Sequence, residues 1–148
     1  MLAHCGRAVP MRSSGMDWDR QEAPSLDDLE ALARVTFATL PDAFRALTGG
    51  VVFVVEDFPD ETVMRNMGLE SEFEILGLFH GPGLARRVAN QGTPEPTMII
   101  LYRRPILDYW AEHREVLGDI VRHVLVHEIG HHFGLSDADM EAIEATAS

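Results

Sequence analysis

Lysine is absent from the 148 residues: all twelve basic side chains are arginine. That excludes a phosphate-binding loop built on a P-loop lysine, a Schiff-base enzyme and a Ser-Lys hydrolase. Cysteine occurs once, as Cys5, so neither an intramolecular disulfide framework nor a multi-cysteine zinc site can form. A zinc site in this chain must therefore be built from histidine and carboxylate. Positive charge is scarce: 12 arginines stand against 24 acidic residues, a formal net charge of -12. Such a chain repels nucleic acid and anionic membrane at long range, which argues against both as partners. No run of eighteen apolar residues occurs, and the opening stretch MLAHCGRAVPMRSSGMDWDR lacks the apolar segment of a secretory signal, so the expectation is a soluble cytoplasmic protein. Oligomeric state has no signature in the sequence.

What is present suffices for one domain with a real core and no covalent staples. Residues 1–24 show no periodicity and are expected to form a disordered leader, with Met11 and Met16 as alternative starts; residues 25–148 form the single domain. Ser25 reads as a helix cap with Asp28 reaching back to it, followed by Leu29, Leu32, Ala33, Thr36, Phe37 and Leu40 at helical spacing. A second short helix is expected over 41–47, ended by Gly49 and Gly50, and another over about 60–67 within an acidic, solvated stretch. Val51 to Val55 is continuous and β-branched, which predicts a central strand covered on both faces. Further strands are expected over 75–79 and 98–102, separated by a long connection carrying Arg86 and Arg87 that reads either as a flap or as an ordinary link. Pro105 suits the first position of a helix. The last long helix, from about Glu115 to His132 or Phe133, has Val116, Leu117, Ile120, Val121, Val124, Leu125, Val126 and Ile129 around most of its circumference, leaving Asp119 and Arg122 in its polar sector. Such a helix is buried.

On that helix stands HEIGHHFGLSD, residues 127–137, of the form HExxHxxGxxD. Residues four apart share a helix face about 5–6 Å apart at their β-carbons, so His127 and His131 can direct two imidazoles at one metal ion. Glu128, one position round, is badly placed as a ligand but well placed to reach a water beside the metal. Gly134 supplies the freedom to end the helix in a left-handed turn, and Asp137 is the first carboxylate after it. One zinc ion on two imidazoles and a carboxylate would leave an open position for water, with Glu128 as general base. The third ligand has competitors: Asp137 could instead cap the following helix, as Ser136 or Asp139 could, and Glu141 or Glu144 could supply the carboxylate. His123 lies four residues before His127; it is read as a core histidine, or as a residue that supports the metal site or binds the metal in its place. His132 projects away from the metal-facing line. Tyr102 and Tyr109 read as core or rim aromatics, with oxyanion donation as the functional alternative, and nothing places His80 or Arg87 against a substrate.

The chain resembles the small bacterial zincin-like metallopeptidases, or minimal metalloproteases, over about residues 25–146. The likeness is strongest in VRHVLVHEIGHHFGLSDADM (121–140) and weaker in VVFVVEDFP (51–59), ILGLFHG (75–81) and LYRRPI (101–106). It implies an α/β (α+β) fold in which a small mixed sheet packs on the motif helix, with an edge strand above a shallow cleft. It also implies His127, His131 and Asp137 as zinc ligands, Glu128 as general base, and a peptide or extended polypeptide as substrate. Larger zincins go on to a methionine turn beneath the metal. Met140, the sole methionine after Asp137, comes too early for that and on an expected helix, so the likeness stops at the helix and turn. Besides a peptidase, the same residues would serve a metal-binding domain without turnover or a hydrolase of non-peptide amides.

Overall fold

The computed structural model describes residues 17–81 and 97–146. Among these, six α-helices and a three-stranded sheet make an α+β domain. The strands are β1 (Val52–Glu56), β2 (Gly77–His80) and β3 (Met98–Tyr102), in the order β1-β3-β2, with β1 parallel and β2 antiparallel to β3. The expected mixed sheet is thus present, but its centre is β3. The 51–55 run, expected to be central, is an edge strand on which Val52 is 49% exposed. Both runs are continuously apolar; β3 is central because it alone pairs on both sides, a property of partners that neither run carries in itself. Phe53 and Phe79 both pair with Ile99, so the three lie in a row on one buried face.

The helices are α1 (Leu26–Ala38), α2 (Asp42–Ala46), α3 (Glu61–Met67), α4 (Arg103–His113), α5 (Leu117–His132) and α6 (Asp137–Thr146). Helix α1 begins with the reciprocal cap read from the sequence: the Asp28 backbone N–H donates to Ser25 Oγ at 3.0 Å, and the Ser25 N–H to Asp28 Oδ2 at 2.9 Å. The Ser25 backbone N–H, and after it the Ser25 hydroxyl, hold the Asp28 carboxyl below the usual carboxylate range. Helix α4 starts two residues before Pro105 rather than at it. The first turn of a helix leaves its N–H groups without intrahelical acceptors, so a proline there removes nothing the helix uses.

Helix α5 is the central support. It packs against α1, β2 and α6, and Val121, Leu125, Val126 and Ile129 are fully buried on it. Its polar sector is closed by an Arg122–Asp119 ion pair at 2.9 Å. Of the stretch expected to be a leader, residues 1–16 lie outside the described residues. Trp18–Arg20 form one exposed 3-10 turn, and the Pro24 carbonyl accepts from Arg103 Nε at 2.6 Å. The connection carrying Arg86 and Arg87, read as either a flap or an ordinary link, likewise lies outside the described residues.

Candidate metal centre

Buried apolar residues hold α5 in the core and bring its histidine stripe to the surface along one edge. His123 is exposed, His127 is 22% exposed at its side chain, and His131 is exposed. The rings of His127 and His131 stand edge to face with centroids 5.6 Å apart, those of His123 and His127 at 3.9 Å. Glu128 is half-buried between the apolar face and the stripe. Burial pushes its carboxyl above the ordinary glutamate range, and the neighbouring His131 draws it partly back. His132 turns away, its ring 4.2 Å from that of Phe79.

The helix ends as the motif's glycine demands. Gly134 has φ of 80°, in the left-handed region. The Leu135 N–H donates to the Gly130 carbonyl at 2.9 Å, and the Gly134 N–H to the His131 carbonyl at 3.2 Å. This is a Schellman closure, and it reverses the chain into α6. The cap of α6 is made by Ser136 and Asp139: the Asp139 N–H donates to Ser136 Oγ at 3.1 Å, and the Ser136 N–H to Asp139 Oδ2 at 3.2 Å. Asp137, the first residue of α6, is therefore not the cap. It lines a concavity of about 390 Å³ together with His123, His127, Glu141 and Glu144.

Helix α6 runs back along α5, since Gly130 meets Met140 and His127 meets Glu144. The acids Asp137, Glu141 and Glu144, at helical spacing, consequently line the same concavity as His123 and His127. Donor atoms within 4.8 Å of one another belong to His123, His127 and Glu144; His131 and Asp137 are not in that group. Nε2 of His127 donates to Glu144 Oε2 at 2.9 Å, and Nδ1 of His123 to Oε1 at 3.2 Å. The sequence offered Glu144 only as a replacement for Asp137, and its pairing with His123 depends on how α6 lies on α5. The imidazole and carboxylate donors, with no thiolate among them and an open concavity beside them, are of the kind zinc takes where it keeps an open position.

Met140 is fully buried beneath the motif. A β-carbon added at Gly130 would stand 2.5 Å from Met140 Sδ and 2.9 Å from its Cγ. The absent side chain is what lets α6 approach α5 this closely. Gly130→Ala would gain about 1 kcal/mol of helix propensity, whereas overpacking a closed core costs about 1–3 kcal/mol. The expected result is a net loss, read as a lower urea midpoint, and Met140→Ala should cost less in that background than in the native chain, because it also relieves the overlap. A higher midpoint for Gly130→Ala would show that Met140 moves aside freely.

Tyr102 is 1% exposed, and burial followed by the charges of Glu56 and Asp60 pushes its hydroxyl up to about 12, so it is a core aromatic. Tyr109 stacks on His113, with ring centroids 3.8 Å apart, at the rim beside His123.

A small mixed sheet, a buried helix carrying HExxH and a glycine turn into a following acidic helix define a zincin-type arrangement. Residues 48–147 match the model of the zincin-like metallopeptidase family, and the chain belongs to that family. Among curated proteins none matches it. The family implies a zinc ion and peptide hydrolysis. Among the described residues, no helix is long and apolar enough to cross a membrane.

Proposed function

We propose that the protein is a zinc-dependent metallopeptidase in which His127, His131 and Asp137 hold one zinc ion and Glu128 is the general base. The observation that carries this reading is the division of labour after Gly134: Ser136 and Asp139 cap α6, which leaves the Asp137 carboxylate on the wall of the concavity that His127 also lines. A bound zinc ion supplies acidification of water and polarisation of the scissile carbonyl. The chain's own residues do the rest. Glu128, half-buried on the helix that bears both histidines, takes a proton from the attacking water as its oxygen bonds to the carbonyl carbon. It then delivers that proton to the amide nitrogen as the C–N bond breaks. Partial burial suits this task, because a carboxylate with a raised proton affinity is a better base.

Strand β2 supports a peptide as the substrate. Among the described residues it is the antiparallel edge of the sheet, and it packs on α5. An extended chain added to that edge is held through main-chain hydrogen bonds, which are indifferent to side chains and fix the carbonyl's direction.

The test is zinc affinity after Asp137→Ala, measured in a Glu144→Gln background so that the carboxylate His127 already meets cannot hold zinc in its stead. Losses of groups that merely orient a ligand cost about 10–100-fold in affinity, so loss of a ligand should cost at least about 100-fold. Asp137 is exposed, and the cap at Ser136 stays intact, so the fold should hold. An unchanged affinity accompanied by lower thermal stability would remove Asp137 from the site.

A further inference from the structure

The geometry points to a second divalent-metal position on the histidine stripe, formed by Nδ1 of His123, Nε2 of His127 and the carboxylate of Glu144, and suited to zinc or a similar transition-metal ion. Three potential ligands from two helices already converge there, with all their donor atoms within 4.8 Å of one another. Tetrahedral zinc with bonds of about 2.0–2.1 Å has donor-to-donor edges of about 3.3 Å. The His127–Glu144 and His123–Glu144 separations, to the two oxygens of that carboxylate, are 2.9 and 3.2 Å, close to that edge length. One carboxylate now accepts from both rings, which keeps a proton on each of the two nitrogens. For an ion to enter, each neutral ring must carry its proton on the other nitrogen, so that the nitrogen now facing Glu144 presents its lone pair as a ligand. Two concavities flank the cluster, one lined by Asp137 and Glu141, the other by Tyr109, Glu115 and Asp119, so the ion has an open path and its remaining positions are free for water. The acidic lining draws cations toward it.

The two positions share the His127 imidazole, a sharing that rests on the function proposed above; the second position itself rests only on His123, His127 and Glu144. One nitrogen lone pair binds one ion. Metal held at the second position therefore leaves the first without one of its histidines, and the two are mutually exclusive. Glu144 and His123 thus form a parking position that opposes assembly of the catalytic centre.

The experiment measures zinc and cobalt(II) binding by equilibrium dialysis and cobalt absorption, with helical circular dichroism confirming the fold. In His131→Ala/Asp137→Ala, which removes only exposed groups, about one equivalent should still bind. Adding Glu144→Gln or His123→Ala to that background should weaken binding at least about tenfold. Folded His131→Ala/Asp137→Ala protein that binds no ion, or whose affinity ignores both added substitutions, would overturn the proposal. Two equivalents bound to the unaltered protein would overturn the mutual exclusion. Failure of the catalytic reading shows separately, as a zinc affinity that Asp137→Ala leaves unchanged in a Glu144→Gln background, where the second position has lost its carboxylate.

Discussion

Glu128→Gln is expected to lower cleavage of an unstructured peptide by about 10²–10⁴-fold, the range that a positioned acid–base group contributes. The bound zinc should remain at about one equivalent, because glutamine removes the proton-accepting carboxylate but leaves His127, His131 and Asp137 in place. The substitution conserves volume and helix propensity at a half-buried position, and it removes a carboxyl whose burial disfavours its charged form. Loss of turnover therefore cannot be attributed to unfolding. The decisive measurement pairs turnover of a fluorogenic peptide with metal content on the same preparation. Undiminished cleavage by the purified variant would remove Glu128 from the mechanism. A native chain that holds zinc yet cuts nothing would assign the site to metal binding without catalysis.

Leu125→Ala should destabilise the fold by about 2–5 kcal/mol, the usual consequence of emptying a buried leucine site. Leu125 is fully buried on α5, within the cluster that joins the sheet face to α1 and α6. Domains of this kind are stable by only about 5–15 kcal/mol in total, so one such cavity removes a large share. Urea unfolding should show a lower midpoint at an unchanged slope. Leu125 is not one of the proposed ligands, so saturating zinc should raise the midpoints of native and variant protein alike through preferential binding to the folded state. A change below about 0.5 kcal/mol, typical of surface positions, would mean that α5 is not the central support it is described as.

The features that could be read without the structure share a property: their determinants lie within a few residues of one another. The Ser25–Asp28 cap is a four-residue arrangement, and it stands in the structure as the sequence predicts. The left-handed turn at Gly134 depends on one glycine's missing β-carbon, and the apolar periodicity of α5 follows from its own side chains. The position of β1 shows the opposite case. The five apolar residues of 51–55 satisfy an edge as well as a centre, because the choice is made by what else pairs with β3.

The chain by itself determined the chemistry on offer. With no lysine and one cysteine, and with HExxHxxGxxD on an apolar helix, it could build only a histidine–carboxylate centre, because residue type and helical spacing are local quantities. The tertiary structure decided which groups meet. It gave the α6 cap to Ser136 and Asp139 instead of Asp137, let Met140 close under Gly130, and delivered Glu144 to His123 and His127 across 21 and 17 residues of chain. Those outcomes follow from how α6 folds back on α5, a packing between two surfaces that no spacing within either helix encodes.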